Sequence, residues 1–195
     1  MKRTFVTSDQ HFNHAAILTF TNDATGQKVR SRFKDCKHMN EYMIEMWNAV
    51  VAKNDTVWQL GDFCMKDYEG FERDILPKLN GHISMVIGNH DNVRALSRMN
   101  RIRKIVADRR FEDKGLIMSH RPLHFSNCWS WRTKSWMRNL HGHIHEHDSP
   151  TDHDYINLSV EKTNYMPIDI ESLVPTKYQL EKMAEMHEGY ITIAQ

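Results

Sequence analysis

Five short apolar segments of this chain have the composition of β-strands, and a cluster of acidic, amide or histidine side chains follows each one. The segments are 4–7, 56–60, 83–87, 116–118 and 136–140, and the clusters are Asp9–His11, Gly61–Asp62, Gly88–Asp91, Ser119–His120 and His141–His145. In a layered α/β domain the carboxyl ends of neighbouring strands lie side by side along one edge of the sheet. We therefore expect these side chains, which are far apart in the sequence, to meet at one place.

Helical patterns alternate with the strand segments. Apolar residues recur at helical spacing over His38–Lys53, which predicts an amphipathic helix packed on a sheet. Weaker helices are predicted at Tyr68–Leu79, which Pro77 interrupts, and at Asn92–Met99. A further strand is predicted at Tyr155–Val160. The alternation predicts one α/β domain over residues 1–195, with helices on both faces of the sheets.

Three other segments lack a clear period. Residues Arg94–Arg110 contain seven lysines or arginines and are interpreted as a solvated helix and turn. Residues Thr21–Arg32 and Asn127–Asn139 are interpreted as long loops. The second loop interleaves tryptophans with cations, which suits a nucleobase and its phosphate. It equally suits an ordinary lid that buries its own tryptophans.

Composition narrows the functional classes. The formal net charge is +1, so no overall field favours nucleic acid or a membrane surface. The three cysteines, Cys36, Cys64 and Cys128, have no Cys-x-x-Cys spacing, which argues against a disulfide framework and for a reducing compartment. No window of about 18 apolar residues exists. We expect a cytoplasmic protein with no membrane partner.

The polar clusters supply the ligand types of a two-metal site. Hydrolysis of a phosphate ester needs polarised phosphoryl oxygens, an activated water and a stabilised leaving oxygen, and two cations about 3.5–4 Å apart with a bridging hydroxide provide all three. Singly, each motif also fits a turn, a structural histidine or a surface cluster. Together they predict two divalent transition-metal ions, Mn, Fe, Zn, Ni or Co. The candidate ligands are Asp9, His11, Asp62, Asn89, His120, His143 and His145.

As a set, these motifs resemble the calcineurin-like metallophosphoesterase superfamily. The stretches Ser8–His14 and Val57–Phe63 are similar to its small, single-domain bacterial and phage branch. The resemblance implies a four-layer α/β/β/α sandwich. The segment Phe63–Asp67 lacks the Asp-Arg-Gly continuation of protein serine/threonine phosphatases, which argues against that substrate class.

The resemblance also implies a role for each candidate. Asp9, His11 and His145 would hold one metal, Asn89, His120 and His143 would hold the other, and Asp62 would bridge them. The catalytic residues would be Asp62 and His90. His90 would lie near the leaving group, as a general acid or transition-state stabiliser. Asp91 would either orient His90 or cap the helix that follows.

Several residues outside this set have two open readings. His14 either contacts a ligand or begins a helix, and His141 is read as a supporting or structural residue rather than a ligand. Arg32 and Arg121 are either phosphate clamps or exposed arginines with no specific role.

The leading hypothesis is a binuclear phosphoesterase that acts on a small or nucleotide-like phosphodiester or phosphomonoester. A nuclease of the DNA-repair type is the rival enzyme, although near-neutral charge argues against long duplex DNA as a partner. A non-catalytic scaffold of the same fold is the rival from another class. It would be expected to lack ligands, whereas every expected position is filled here.

Overall fold

Two β-sheets carry the residues that the sequence singles out. The computed structural model describes residues 2–151 and 154–187. The strands are β1 (Thr4–Thr7), β2 (Thr56–Gln59), β3 (His82–Val86), β4 (Ile102–Val106), β5 (Asp108–Phe111), β6 (Leu116–Ser119), β7 (Trp129–Ser130), β8 (Ser135–Trp136), β9 (Arg138–His141), β10 (Tyr155–Asn157) and β11 (Ile168–Asp169). The first sheet has the order β11-β1-β2-β3-β4, and the second has the order β10-β9-β6-β5. Strands β7 and β8 form a separate hairpin. The fold is mixed α/β, as the sequence predicts.

Most neighbouring strands pair in the parallel sense. Strands β1 to β4 run parallel to one another, and β11 pairs with β1 in the antiparallel sense. In the second sheet β6, β9 and β10 are parallel, and β5 is antiparallel to β6. In the first sheet Thr7, Gln59 and Met85 lie in one row, and in the second Met118 pairs with Leu140. The segments that follow these strands therefore leave the sheets side by side.

The helices are α1 (Cys36–Val50), α2 (Tyr68–Gly70), α3 (Val93–Leu96) and α4 (Lys177–Met186). Helix α1 confirms the predicted amphipathic helix, beginning two residues earlier and ending three earlier than His38–Lys53. The Asp35 side chain accepts a hydrogen bond from the His38 N–H at 2.7 Å and so caps its first turn. Short 3-10 segments are Ala15–Thr19, Leu76–Lys78, Glu112–Lys114, Phe125–Cys128 and Ile170–Leu173, and a π-helical turn covers Phe71–Ile75.

Alternate residues of the strands enter different cores. Val6 of β1 packs with Leu116 and Leu140 of the second sheet, so this cluster joins the two sheets. Its neighbour Phe5 packs with Trp47 of α1 on the opposite face. This division follows from the two-residue period of a strand. Each fully buried large apolar side chain contributes roughly 1.5–3 kcal/mol to folding.

The far face of the second sheet has its own cluster. Met183 of α4 packs there with Ile117 of β6 and with Trp136 of the hairpin. The hairpin corrects our interpretation of Asn127–Asn139 as a long loop. Its two strands pair Trp129 with Trp136, whose rings lie 5.1 Å apart. Trp136 is 5% exposed, in agreement with the second interpretation of that segment, whereas Trp131 is 59% exposed.

The interpretation of Arg94–Arg110 as a helix and turn is wrong. The segment contains α3 and then two strands, β4 and β5. Strand β4 lies at the edge of the first sheet and exposes both Arg103 and Lys104. These two charges interrupt the alternation of apolar and polar residues that would have indicated a strand. Lysine and arginine on an edge strand discourage pairing with other chains. The charges that suggested a solvated helix are therefore typical of an edge.

The predicted helix at Tyr68–Leu79 is three short pieces, α2, the π-helical turn and a 3-10 turn that contains Pro77. Proline lacks the N–H that a continuous helix requires. The predicted helix Asn92–Met99 shortens to α3, which Asn92 caps. Within residues 2–151 and 154–187, no helix combines the length and the apolar character that crossing a bilayer requires.

Candidate metal centre

The seven candidate ligands lie together beyond the aligned strand ends. Six of them form two groups, Asp9 with His11 and His145, and Asp62 with His120 and His143. In each group, one potential ligand atom from every residue lies within 4.8 Å of the others. The rings of His11 and His145, 134 positions apart in the sequence, have centroids 5.2 Å apart. The expected convergence of distant strand ends is therefore observed.

Asp62 lies between the two groups. Its Oδ2 atom is 3.6 Å from Nε2 of His11 and 3.4 Å from Nε2 of His120. Its other oxygen, Oδ1, accepts a hydrogen bond from the His90 N–H at 2.9 Å. One carboxylate oxygen thus faces both groups, and the second fixes the orientation of the side chain.

Asn89 adjoins the second group. Its Oδ1 atom is 2.9 Å from Nε2 of His120. His120 Nδ1 is 2.9 Å from the carbonyl oxygen of Leu60, which suits an Nδ1–H donor and leaves Nε2 directed at the centre. The amide oxygen and the imidazole nitrogen therefore point to the same place.

Two buried atoms of the first group have no hydrogen-bond partner. They are Oδ1 of Asp9 and Nε2 of His11, on residues that are 0% and 2% exposed. Buried polar atoms are almost always paired, because leaving one unpaired costs about 1–3 kcal/mol. A cation held by the first group would satisfy both atoms. The donor set of carboxylates, imidazoles and an amide fits a divalent transition metal.

The charge states of His11 and Asp62 suit metal ligands. Burial lowers the pKa of His11 to about 2, so its ring is neutral and keeps a lone pair. Burial works against ionisation of Asp62, but the hydrogen bond and charge of His120 outweigh it and lower the pKa to about 2. Burial raises the pKa of Asp9. A nearby cation would reverse that shift, because opposite charge favours the ionised form.

The backbone is strained where it carries the candidate ligands. Asp9, His11, Asp62, His143 and His145 have φ values of 60°, 51°, 56°, 70° and 47°. L-residues rarely adopt this left-handed region, and each such residue costs on the order of 1 kcal/mol or more. Strain of this kind persists where the surrounding structure enforces it and is concentrated at functional sites.

Two glycines allow the loops to approach the carboxylates. A Cβ atom on Gly88 would collide with the Asp62 carboxylate and the Asp62 backbone nitrogen. A Cβ atom on Gly142 would collide with the carboxylate of Asp9 and the hydroxyl of Ser8. The glycines of these two motifs are therefore required by close packing around the acids.

Asp91 corrects both of our readings of that residue. It neither orients the His90 ring nor caps α3, which Asn92 caps. Its carboxylate accepts backbone hydrogen bonds from Asp62 and Gly88 at 2.8 Å each and from Phe63 at 3.0 Å. Asp91 therefore ties the loop of Asp62 to the loop of Gly88.

A buried ion pair behind the first group was missed by the sequence analysis. Arg30 is 1% exposed and lies 2.7 Å from Oε1 of Glu161. It also donates to the backbone carbonyls of Asp9 at 2.7 Å and Gln10 at 2.8 Å. Glu161 Oε1 is 3.2 Å from Nδ1 of His145. Burial opposes ionisation of Glu161, but the Arg30 charge and His145 lower its pKa to about 2.

A signal for Glu161 was present in the sequence. It directly follows the predicted strand Tyr155–Val160, as the other clusters follow theirs. Carboxylates commonly hold the distal nitrogen of a metal-bound histidine and so orient its ring. The pair supports both His145 and the loop of Asp9.

Of the remaining candidate residues, some lie at the rim of the centre, some support its ligands, and one does neither. His90 is exposed, and its ring lies 5.8 Å from that of His11. His14 Nδ1 is 3.3 Å from Nδ1 of His11, so His14 contacts a candidate ligand and also precedes the turn at Ala15–Thr19. Arg121 is exposed, and burial, the charge of His120 and then the charge of Arg121 lower the pKa of His143.

Two of the remaining candidate residues, His141 and Arg32, lie outside both ligand groups. His141 is buried, and its Nε2 is 2.9 Å from the hydroxyl of Ser149, which agrees with a supporting role. The guanidinium of Arg32 packs 4.4 Å above the ring of Tyr42 and donates to Asn164. Stacking on an aromatic ring holds Arg32 in a structural contact, and its reading as a phosphate clamp gains no support.

The chain is similar to proteins whose names state no activity. It is 29% identical over 184 residues to Uncharacterized protein MJ1445 of Methanocaldococcus jannaschii, covering 89% of this chain and 90% of that one. It is 27% identical over 100 residues to Gene 66 protein of Mycobacterium phage L5, covering 50% of this chain and 44% of that protein. No protein-family model matches the chain.

A solved structure has a similar fold. The protein of unknown function AQ665 from Aquifex aeolicus superimposes with a TM-score of 0.63 at 19% identity, covering 89% of this chain and 98% of that one. At this identity the likeness concerns the fold alone.

Proposed function

We propose that this protein is a binuclear metal-dependent phosphoesterase of the calcineurin-like type, acting on a small phosphodiester or phosphomonoester. The observation that carries the proposal is the pair of ligand groups that meet at Asp62, with buried atoms of Asp9 and His11 left unpaired. A site for cations accounts for them.

We also propose that the layers form a four-layer α/β/β/α sandwich. One apolar cluster joins the two sheets, a second lies between the first sheet and α1, and a third lies between the second sheet and α4. Three successive cores of this kind are what four layers require.

When bound, two divalent metals would polarise the phosphoryl oxygens and lower the pKa of a water molecule. The chain's own residues do the rest. Asp62 directs one oxygen to both groups, and the His90 N–H holds its other oxygen. The exposed His90 ring lies close enough to the centre to give a proton to a leaving oxygen. Arg121 at the rim supplies a guanidinium that can pair with phosphate.

The two rival functions make different demands. A nuclease that binds long duplex DNA must neutralise many phosphates, which a net charge of +1 does not favour. A scaffold would need neither unpaired buried ligand atoms nor five strained residues at one place. A cytoplasmic location stays a prediction from cysteine usage.

Elemental analysis and turnover of bis(p-nitrophenyl) phosphate test the proposal. Protein reconstituted with Mn²⁺ should carry about two metal equivalents and should hydrolyse the diester. Asp62→Asn should lower the occupancy of both sites, because it removes the charge that faces both groups. Asp108→Asn, at an exposed position of β5, is the matched control and should change neither value. Wild-type protein that binds no metal under these conditions would refute the proposal.

A further inference from the structure

A cavity of about 330 Å³ opens beside the candidate metal centre. Its wall includes His143 and His145, one residue from each ligand group. A phosphate held between the groups would therefore have this cavity next to it. The volume lies at the small end of the range for ligand pockets, about 300–1,000 Å³, which suits one small organic group rather than an oligomer.

The lining of the cavity also has an apolar part. It is formed by Ile17, Phe20 and Val29, and Ile144 adds a further apolar side chain between the two histidines. Phe20 is 50% exposed, whereas most large apolar side chains of the fold are buried. Its ring meets that of His14 edge-on at 5.7 Å, and His14 contacts His11. His14 thus links the ring of Phe20 to the candidate ligand His11.

The loop that carries Phe20 has a defined conformation. The Val29 N–H donates to the Phe20 carbonyl at 3.0 Å, and the Asn22 N–H donates to the Gln27 carbonyl at 2.8 Å. The Asn22 side chain accepts from the N–H groups of Ala24 and Thr25 at 3.0 Å each. These bonds hold the backbone of the loop in place, so stacking a ligand on the Phe20 ring needs little ordering of the loop.

Besides His143 and His145, the polar residues of the lining are Thr21, Glu146 and His147. Glu146 lines the cavity, and its Oε1 accepts a hydrogen bond from Asn22 Nδ2 at 3.1 Å. The bond links the loop of Phe20 to the segment that carries His143 and His145. A carboxylate oxygen can accept more than one hydrogen bond. Glu146 can therefore receive an N–H group from a flat ring that lies against Phe20.

We propose that this cavity binds a nucleobase, so that the substrate is a nucleoside phosphodiester; this inference rests on the proposed function. An exposed aromatic ring offers a stacking face, and each of the nucleobases has such a face. Each base also carries an N–H donor that a carboxylate can accept. An alkyl substituent would use neither feature. The cavity contributes selectivity for the organic group, while the phosphate is held at the centre.

Three diesters with the same leaving group test the proposal. They are the p-nitrophenyl esters of methyl phosphate, phenyl phosphate and adenosine 5′-phosphate. For Mn²⁺-loaded protein, kcat/KM should rise from methyl to phenyl to adenosine, with at least about a tenfold difference between the first and the last. Phe20→Ala should reduce the adenosine-to-methyl ratio about tenfold. Tyr178→Ala removes a similarly exposed ring on α4 and should leave the ratio unchanged.

Calorimetry supplies a second readout that needs no turnover. Adenosine 5′-phosphate should bind the loaded protein at least about tenfold more tightly than inorganic phosphate, and Phe20→Ala should remove most of that difference. A wild-type ratio near one, or a ratio that Phe20→Ala does not change, would overturn the nucleobase site while the proposed function stands. A phenyl ester as good as the adenosine ester would overturn the nucleobase assignment. Failure to hydrolyse all three diesters would overturn the proposed function and this inference with it.

Discussion

The loops at the two ends of the strands in the first sheet are built in opposite ways. We call the side where the strands end the carboxyl edge and the side where they begin the amino edge. At the carboxyl edge, the candidate ligands Asp9, His11 and Asp62 have positive φ, and buried atoms of Asp9 and His11 are unpaired. At the amino edge, no non-glycine residue of the turns 51–55 and 79–82 has positive φ. There the Asp55 carboxylate accepts from the N–H groups of Arg3 at 2.8 Å and Ala52 at 2.9 Å. One edge is satisfied and relaxed, whereas the other is strained and incomplete.

This difference separates stability from function within one sheet. The turns at the amino edge lead from helical segments into β2 and β3, and they meet their own hydrogen-bonding needs. The loops at the carboxyl edge begin at equally regular strands, yet they turn sharply at residues that do not favour the conformation. Because such strain lowers stability, its concentration at one edge supports the proposal of a site there.

The largest effect is expected at the rim of the carboxyl edge. His90→Ala should keep both metals but lose about 10²–10⁴ in turnover, because it removes a positioned acid and no candidate ligand. The loss should be smallest when the leaving group is p-nitrophenolate, which departs without a proton. It should be largest when the leaving group is an alkoxide, such as that of a ribose hydroxyl. Rate measurements on both substrates, after metal analysis, check this.

His124→Ala is the matched control for His90, because it removes another exposed histidine. It should change neither metal content nor rate. Equal losses on both leaving groups in His90→Ala would assign His90 to phosphate positioning rather than to proton donation.

A smaller effect is expected behind the carboxyl edge. Glu161→Gln removes the charge that holds His145 and neutralises Arg30. One of the two metal equivalents should bind about 10–100-fold more weakly, because losing a supporting carboxylate costs that much affinity. Competition with a chelator would resolve the two equivalents. Thermal unfolding should also show a loss of stability, since Arg30 stays buried without its partner.

Glu171→Gln alters an exposed acid that pairs with Lys114 and is the control for Glu161. Its metal affinities should equal those of the wild type. If Glu161→Gln weakened both equivalents equally, the pair would support the whole edge rather than the first group.

The smallest effect is expected at the amino edge. The hydrogen bond from the Arg3 N–H lowers the pKa of Asp55, so the charged carboxylate stabilises the fold. This contribution is fully present above the unfolded pKa of about 3.9 and is lost as the pH falls through the lower folded pKa. Asp55→Asn should cost about 1–2 kcal/mol at neutral pH and flatten the acid limb of the stability curve. Its kcat per folded molecule should match the wild type.

Denaturant unfolding of the wild type and of Asp55→Asn between pH 2 and pH 7 measures how the free energy of unfolding falls at acid pH. A marked change in metal content or turnover in Asp55→Asn would show that the two edges are coupled, and the contrast between them would fail.

Much of the first sheet and of the candidate site was predictable, because both rest on local patterns. Strand β1 was predicted to the residue, and β2, β3, β6 and β9 to within one or two. Strands β4 and β5 were missed, since edge positions carry charges that resemble a solvated helix. The metal ligands themselves stay a prediction that the geometry supports.

Residue types and their spacing along the chain are sufficient for the strands that precede the polar clusters and for the order of those clusters, because burial alternates along a strand and ligand chemistry belongs to the side chain. They cannot show which side chains meet across long separations. The contact of Arg30 with Glu161 spans 131 positions, and that of Asp9 with His143 spans 134. Only the packing of two sheets brings these pairs together, and only the folded loops set the left-handed turns at Asp9, Asp62 and His145. The chemistry is thus encoded locally, whereas its geometry depends on how distant segments pack.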